Sequence, residues 1–321
     1  MIYNYQKKLP SNRNFRLYRN KDAIRFHWDI ITHCNFECPY CYARAEEGNW
    51  FKISSMDIIN KVISKFKKIE KPLEIIILGG EPTLHPKYFQ ILDKVYDLNK
   101  DKDLEFGIIS NGFSKAYQKE DFLENHLKYK DIFNFNITFH PSQHNQETQK
   151  IFKENLLRIN KDFLLNVNII LDTPKNNDKI IDILDFLIQN DIGFYYNIPF
   201  EANANYVKHF DTSQEYLDWL KNINQYKSQK ELFFSDELEY KNIICNDIDV
   251  VLKDLQDFKG WVCKNNNFEI KAGSLDFIRM CTSGNEKYSV QEVNNIEDMI
   301  CPLNKCLCQG LLSNEKIRKT D

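Results

Sequence analysis

The chain of 321 residues has no apolar run long enough to cross a bilayer, and its opening residues, Met1-Ile2-Tyr3-Asn4-Tyr5-Gln6-Lys7-Lys8, lack the apolar core of a secretory signal. Those absences argue against a membrane protein and an exported one, so a cytoplasmic location is expected. A strong net charge is missing too. With 43 basic and 46 acidic residues the formal charge is −3, which supplies no general field for nucleic acid or an anionic membrane. Lys7, Lys8, Arg13, Arg16, Arg19, Lys21 and Arg25 cluster near the start, and that cluster reads as a solvated face. Hydrophobic residues at 42% and charged residues at 28% are ordinary for a globular protein, so disorder is not expected.

What the chain does have is cysteine. Nine of them, an odd number, are better explained as metal ligands than as disulfides in a reducing compartment. Three stand close together in His33-Cys34-Asn35-Phe36-Glu37-Cys38-Pro39-Tyr40-Cys41-Tyr42. Three thiolates on one short loop suit three irons of a 4Fe-4S cube and leave the fourth iron free for a small molecule. A structural zinc site is the alternative, with His33 as a fourth ligand, but such sites usually draw on two separated ligand pairs.

The spacing Cys34, Cys38, Cys41, followed by Gly79-Gly80-Glu81-Pro82, resembles the radical S-adenosylmethionine superfamily over about residues 25–200. The resemblance implies that a 4Fe-4S cluster on these cysteines binds S-adenosylmethionine through its amino and carboxylate groups. It further implies reductive cleavage to a 5'-deoxyadenosyl radical that abstracts hydrogen from a substrate, and a reducing donor such as flavodoxin or ferredoxin.

Along the chain, short apolar runs alternate with amphipathic helical patterns, the signature of parallel strands with helical crossovers. Strands are predicted at Ala23–Ile31, Leu73–Leu78, Leu104–Ile109, Ile132–Phe139, Leu164–Leu171 and Phe194–Ile198. Ser54 or Ser55 caps a helix carrying Ile58, Ile59, Val62, Ile63 and Phe66. Pro86 opens a second, and a box of Thr212 and Glu215 starts the last of the series. Six strand-helix units fit an α/β fold, a partial six-stranded (β/α)6 relative of the eight-stranded barrel, and the resemblance implies the same architecture. The expected division is a lead at 1–22, the barrel at 23–234 and a cysteine-rich metal-binding domain at 235–321.

Chemistry in such barrels gathers at the C-terminal ends of strands. After strand two, Gly79 and Gly80 leave room for a closely approaching ligand, with Glu81 facing the cofactor ammonium. Ser110 and Asn111, after strand three, sit at ribose height. The resemblance gives Thr138 the place of a serine near the cofactor, puts His140 where relatives have an acid, and makes Tyr40 the aromatic beside adenine. Asn168 on strand five is the remaining cofactor candidate, although the glycine-containing motif of relatives is absent there. Asp172, Tyr195, Tyr196, Asn197 and Glu201 lie where substrate belongs, and Asp172, Tyr196 and Asn197 are the catalytic candidates.

Beyond Ser235 the rhythm gives way to isolated cysteines. Cys263 and Cys281 bracket a hairpin whose turn includes Gly273, and Cys301, Cys306 and Cys308 follow. This arrangement resembles a Twitch or SPASM extension, which implies an auxiliary 4Fe-4S cluster on four of these five cysteines. A closed four-thiolate zinc is the alternative, and Cys245 reads as a bystander. Three functions follow from different classes. The first is an oxidoreductase or epimerase acting on a small polar molecule such as a sugar, nucleoside or aminoglycoside-like compound. The second is a peptide-modifying enzyme, and the third a non-catalytic metal-binding protein.

Overall fold

A computed structural model of the chain describes residues 23–41, 52–203, 206–209, 213–226, 232–236, 241–245, 247–253, 258–281, 286–301 and 316–318. Strand and helix alternate through β1 (Ile24–Ile31), α1 (Met56–Phe66), β2 (Leu73–Gly79), α2 (Tyr88–Tyr96), β3 (Leu104–Ser110), α3 (Asp121–Glu124), β4 (Phe133–Phe139), α4 (Gln146–Asp162), β5 (Leu164–Ile170), α5 (Asn177–Gln189) and β6 (Gly193–Asn197). There follow the hairpin β7 (Phe200–Asn203) and β8 (Tyr206–His209), then α6 (Gln214–Ile223), β9 (Leu232–Asp236), β10 (Lys241–Cys245) and α7 (Asp247–Leu252). The last elements are β11 (Val262–Cys263), β12 (Asn267–Ile270), β13 (Phe277–Arg279), β14 (Lys287–Tyr288), α8 (Val290–Asn294), β15 (Met299–Ile300) and β16 (Lys316–Arg318).

β1 to β6 lie side by side in chain order, every neighbouring pair parallel, as the alternation predicts. One face of this sheet is the core. Phe26, Ile75, Phe106 and Phe133 are partners in register across four strands, and all are buried. Phe66 of α1 packs on Phe26 at 4.8 Å between ring centroids, and Phe152 of α4 on Phe139 at 5.3 Å. Strand alternation sends the intervening residues to the other face. There Arg25 pairs with Glu74 at 2.5 Å, and Asn136 and Thr138 stand opposite Asn166 and Asn168.

Several local expectations are corrected. Between β3 and β4 there is no full helix; helical turns at Lys115–Gln118, Asp121–Glu124 and Leu127–Tyr129 fill the space, anchored by buried Tyr117, Phe122 and Tyr129. Pro86 lies in a turn ahead of α2 rather than inside its first turn. The α6 cap is Ser213, whose extended backbone lets its hydroxyl accept from the Tyr216 N–H at 3.2 Å, while Thr212 lies outside the described residues. At α1 the cap is Ser55.

Downstream of residue 235 the chain returns to the barrel sheet. β12 adds parallel to β1, and β13 and β14 continue antiparallel, giving the order β14-β13-β12-β1-β2-β3-β4-β5-β6. The backbone of β1 is thereby paired on both sides, which removes an exposed edge. The expected hairpin is present as β12 and β13, with Gly273 at φ +78° in its turn. A second sheet runs β10-β9-β16-β11-β15, and the boundary expected after residue 234 falls within β9. Among the described residues no helix is long and apolar enough to cross a membrane.

Where β1 and β2 end, two backbones touch. The N–H groups of Gly80 and Glu81 donate to the carbonyls of Ile31 and His33 at 2.7 and 2.8 Å. A Cβ on Gly79 would collide with the Ile31 carbonyl, and one on Gly80 with the backbone of Thr32 and His33. These glycines are therefore required first for strand-to-loop contact. Gly80→Ala is predicted to cost about 3 kcal/mol in urea unfolding, as overpacking against rigid backbone does. Gly260→Ala, at φ +82° with nothing within 4 Å, is predicted to cost only about 1 kcal/mol. Equal losses would show that the two backbones part freely.

Candidate functional site

The loop His33–Cys41 leaves the C-terminal end of β1 carrying Cys34 and Cys41 half-buried and Cys38 buried, all three as free thiols. It is folded by short-range bonds. The Cys41 N–H donates to the Cys38 carbonyl at 3.2 Å, and the Phe36 N–H to Cys34 Sγ at 3.4 Å. The Phe36 ring is inserted between Phe113 (6.0 Å between centroids), His144 (5.4 Å) and His140 (5.9 Å). From the other side of the loop, the Glu37 N–H donates to Gln143 Oε1 at 3.0 Å. The ends of β3 and β4 thus grip the loop that β1 delivers.

His140 sits where sequence places it, against the cysteines. Its Nδ1 lies 3.4 Å from Cys38 Sγ and 3.1 Å from the Tyr40 hydroxyl, and the Tyr40 ring stacks on it at 6.0 Å. Burial, then the neighbouring His144, lowers its pKa from 6.5 to about 3. Burial and Lys179 likewise lower His144 to about 4. Both rings are neutral at pH 7. His144 is 2% exposed, stacked on Phe139 at 5.1 Å, and neither ring nitrogen has a hydrogen-bond partner.

Glu81 departs most from expectation. Its carboxylate is fully buried: Oε1 accepts from the Thr83 N–H at 3.2 Å and from Ser110 Oγ at 2.9 Å, and Oε2 from the Asn111 N–H at 2.8 Å. Thr83 Oγ1 adds a further bond at 2.5 Å and reaches Ser114 Oγ at 2.6 Å. Both carboxylate oxygens are engaged, so Glu81 ties β2 to β3 instead of facing outward. Ser110 is corrected with it. Alternation turns Ser110 toward the core beside Ile108, where it receives the Tyr117 hydroxyl at 2.9 Å and is 2% exposed. Asn111 points at the cysteine loop, its Nδ2 2.7 Å from Asn35 Oδ1 and 3.7 Å from Cys34 Sγ. Burial raises the Cys34 pKa, Glu81 and Cys41 push the same way, and the Phe36 and Asn111 donors oppose them.

On the sheet face away from the helices, Asn136 Nδ2 donates to Asn134 Oδ1 at 2.9 Å, and Asn166 Nδ2 reaches Asn136 Oδ1 at 3.5 Å. A Cβ on Gly107 would strike the Asn134 amide, so that glycine makes the space for it. Thr138 and Asn168 are register partners on this face, both buried, and Asn168 Oδ1 has no partner. Asp172 lies close enough to Tyr40 to raise its pKa and holds the next turn through the Thr173 N–H (2.8 Å) and Asn176 Nδ2 (3.1 Å). Tyr196, a catalytic candidate from sequence, is a core residue: it is 1% exposed and donates to the Tyr226 carbonyl at 2.6 Å. Asn197 alternates to the opposite face, in register with Ile170, and the Glu201 side chain lies outside the described residues.

In the C-terminal part, Cys263 pairs with Met299 while Cys301 exchanges backbone bonds with the chain at 260–261, so Cys263 and Cys301 share one face of the β11–β15 ladder. Both are buried, and Cys281 follows β13. Cys306 and Cys308 lie outside the described residues. Among the described residues, no three His, Cys, Asp or Glu side chains are already drawn into a metal-binding group. Sequence reasoning missed Phe36, Phe113, Gln143 and His144, the residues that brace the loop. The aromatic between Cys34 and Cys38 was the available signal.

Residues 28–187 match the Radical SAM superfamily. An S-adenosylmethionine-dependent nucleotide dehydratase of Fibrobacter sp. (strain UWH6) is 28% identical over 111 residues, 30% of this chain and 30% of that protein. A GTP 3',8-cyclase of Helicobacter pylori is 26% identical over 196 residues, 57% of each. The matches therefore span about a third to somewhat over half of these relatives. Among solved structures, Streptococcus suis SuiB bound to precursor peptide SuiA aligns with TM-score 0.51 at 16% identity, over 91% of this chain and 67% of that one, a likeness of fold.

The buried Glu81 gives a testable pH dependence. Burial raises its folded-state pKa above the ordinary 4.5 despite the opposing donors. A raised carboxylate pKa means folding is favoured while the group is protonated and loses ground as pH rises through the folded value. Wild type is predicted to lose stability relative to Glu81→Gln between pH 4.5 and pH 7, read from urea midpoints, whereas parallel curves would mean the carboxylate ionises at no cost.

Proposed function

From the radical SAM domain at residues 28–187 we propose that this protein cleaves S-adenosylmethionine reductively and uses the product radical to oxidise or epimerise a small polar substrate such as a sugar, nucleoside or aminoglycoside-like compound. The observation that carries the reading is the gripped cysteine loop standing at the end of a sheet face lined with amides. The donor set fits a 4Fe-4S cluster: Cys34, Cys38 and Cys41 are free thiols on one loop, and N–H groups already face one sulfur. When bound, that cluster and S-adenosylmethionine supply a 5'-deoxyadenosyl radical that abstracts hydrogen.

The chain's own residues do the rest. Cys34, Cys38 and Cys41 hold three irons and leave the fourth for the cofactor's amino and carboxylate groups. Gly79 and Gly80 bring the end of β2 against the loop. Neutral His140, stacked on Tyr40, fixes that ring at the mouth and closes one side against water. Thr138 and Asn168 offer polar groups from the far wall; an unpartnered buried carbonyl such as Asn168 Oδ1 is stabilised by any ligand N–H or O–H that reaches it. Barrel interiors are ordinarily packed with branched apolar side chains, so the row Asn134, Asn136, Asn166 and Asn168 suits a hydrated or polar guest. Asp172 and Asn197 stand at the strand ends as the candidates to contact substrate.

The C-terminal cysteines are proposed to hold an auxiliary 4Fe-4S cluster. Cys263 and Cys301 on one face, with Cys281 and either Cys306 or Cys308, make four ligands that would leave it suited to accepting an electron from a substrate radical. A net oxidation then needs no further acceptor.

Anaerobic reconstitution with iron and sulfide, followed by dithionite and S-adenosylmethionine, is predicted to release 5'-deoxyadenosine. Cys34→Ala, Cys38→Ala and Cys41→Ala each abolish it. Cys263→Ala is predicted to lose about four irons per chain yet keep cofactor cleavage. Intact S-adenosylmethionine in a fully iron-loaded wild type would refute the reading, and zinc at the C-terminal cysteines would refute its auxiliary part.

A further inference from the structure

The side chain of Asn111 is aimed at sulfur, and its direction is fixed on every side. Its Oδ1 accepts the Phe113 N–H at 2.9 Å, so Nδ2 is the atom that faces Asn35 Oδ1 at 2.7 Å and Cys34 Sγ at 3.7 Å, within reach of a large sulfur acceptor. A flipped amide would set oxygen against oxygen at Asn35 and N–H against N–H at Phe113. Its own backbone N–H is held by Glu81 Oε2 at 2.8 Å. Gly112, at φ +67°, turns the chain immediately afterward, where a Cβ would come within 2.6 Å of Ile137. Asn111 is 5% exposed, so water does not compete for the donor.

We infer that Asn111 sets the reduction potential of the cluster on the cysteine loop by donating a hydrogen bond to the Cys34 sulfur, with Glu81 holding the donor in place. The inference rests on the function proposed above. Reduction adds negative charge that is shared by the cluster sulfurs, and a hydrogen bond to sulfur is stronger in the reduced state than in the oxidised one. The donor therefore raises the potential and eases the electron uptake that cofactor cleavage needs. Phe36 supplies a second donor from the backbone, which no side-chain change removes. Asn111 is thus the adjustable one at Cys34, and Glu81 acts on the sulfur only through it.

The test is an EPR-monitored redox titration of the cluster whose signal changes on adding S-adenosylmethionine. Asn111→Leu, close in shape and without a donor, is predicted to shift the reduction equilibrium tenfold toward the oxidised state, a fall of about 59 mV for a one-electron couple. Asn111→Ala is predicted to shift it the same way and serves if the leucine protein does not hold iron. A wild-type titration supplies the variant-free check: with asparagine labelled by ¹⁵N at the side-chain amide, the reduced cluster is predicted to show weak ¹⁵N coupling by pulsed EPR. An unchanged potential in either loaded variant, or no ¹⁵N coupling in wild type, overturns the inference and leaves cofactor cleavage untouched. A wild type that holds no iron on the loop overturns both.

Discussion

The site depends on a buried carboxylate with no cation beside it in its hydrogen-bonding shell. Glu81 accepts bonds from Thr83, Ser110 and the Asn111 backbone, which brings the ends of β2 and β3 to a fixed separation. Burying a carboxylate without its bonds is costly, and replacing any one donor leaves a buried acceptor short. Everything at the mouth is referred to that point. The two glycines before Glu81 meet the end of β1, and the asparagine after Ser110 meets the loop that β1 delivers.

From this anchor the loop's grip on its surroundings follows. Phe36 fills an aromatic enclosure contributed by the segments after β3 and β4, and His140 takes up Cys38 and Tyr40. His144 at the bottom of that enclosure is a neutral ring used as an aromatic, with both nitrogens unpaired. A rigid loop holds three sulfurs in a defined relation before any metal arrives, and preorganisation of that kind lowers the ordering cost of binding. The amide-lined face opposite the helices then provides a polar chamber next to the sulfurs rather than a packed interior.

The strands were legible because each buried strand is an apolar run of the right length, and the cysteine triplet because its spacing admits few chemistries. The partial barrel and the loop position follow from those two signals. Side-chain direction was harder to read. Ser110 looks outward in a string of polar residues, but register with Ile137 turns it inward, and Tyr196 likewise lands opposite Ile169 in the core. Glu81 was misassigned because a short sequence cannot say which of two solvents, water or protein hydroxyls, a carboxylate faces. The insertion of β12 beside β1 joins residues far apart in the chain, and no local pattern encodes such a pairing. The third crossover escaped notice as a helix because its apolar anchors, Tyr117, Phe122 and Tyr129, do not keep one helical period.

The central claim is that three sulfurs from a single loop leave one iron open to the cofactor. Pulsed EPR of the anaerobically reduced protein with S-adenosylmethionine carrying ¹⁵N in its amino group reads this most directly. A clear ¹⁵N hyperfine coupling to the cluster on Cys34, Cys38 and Cys41 is the predicted result; an iron-loaded loop showing no such coupling at saturating cofactor would contradict the account.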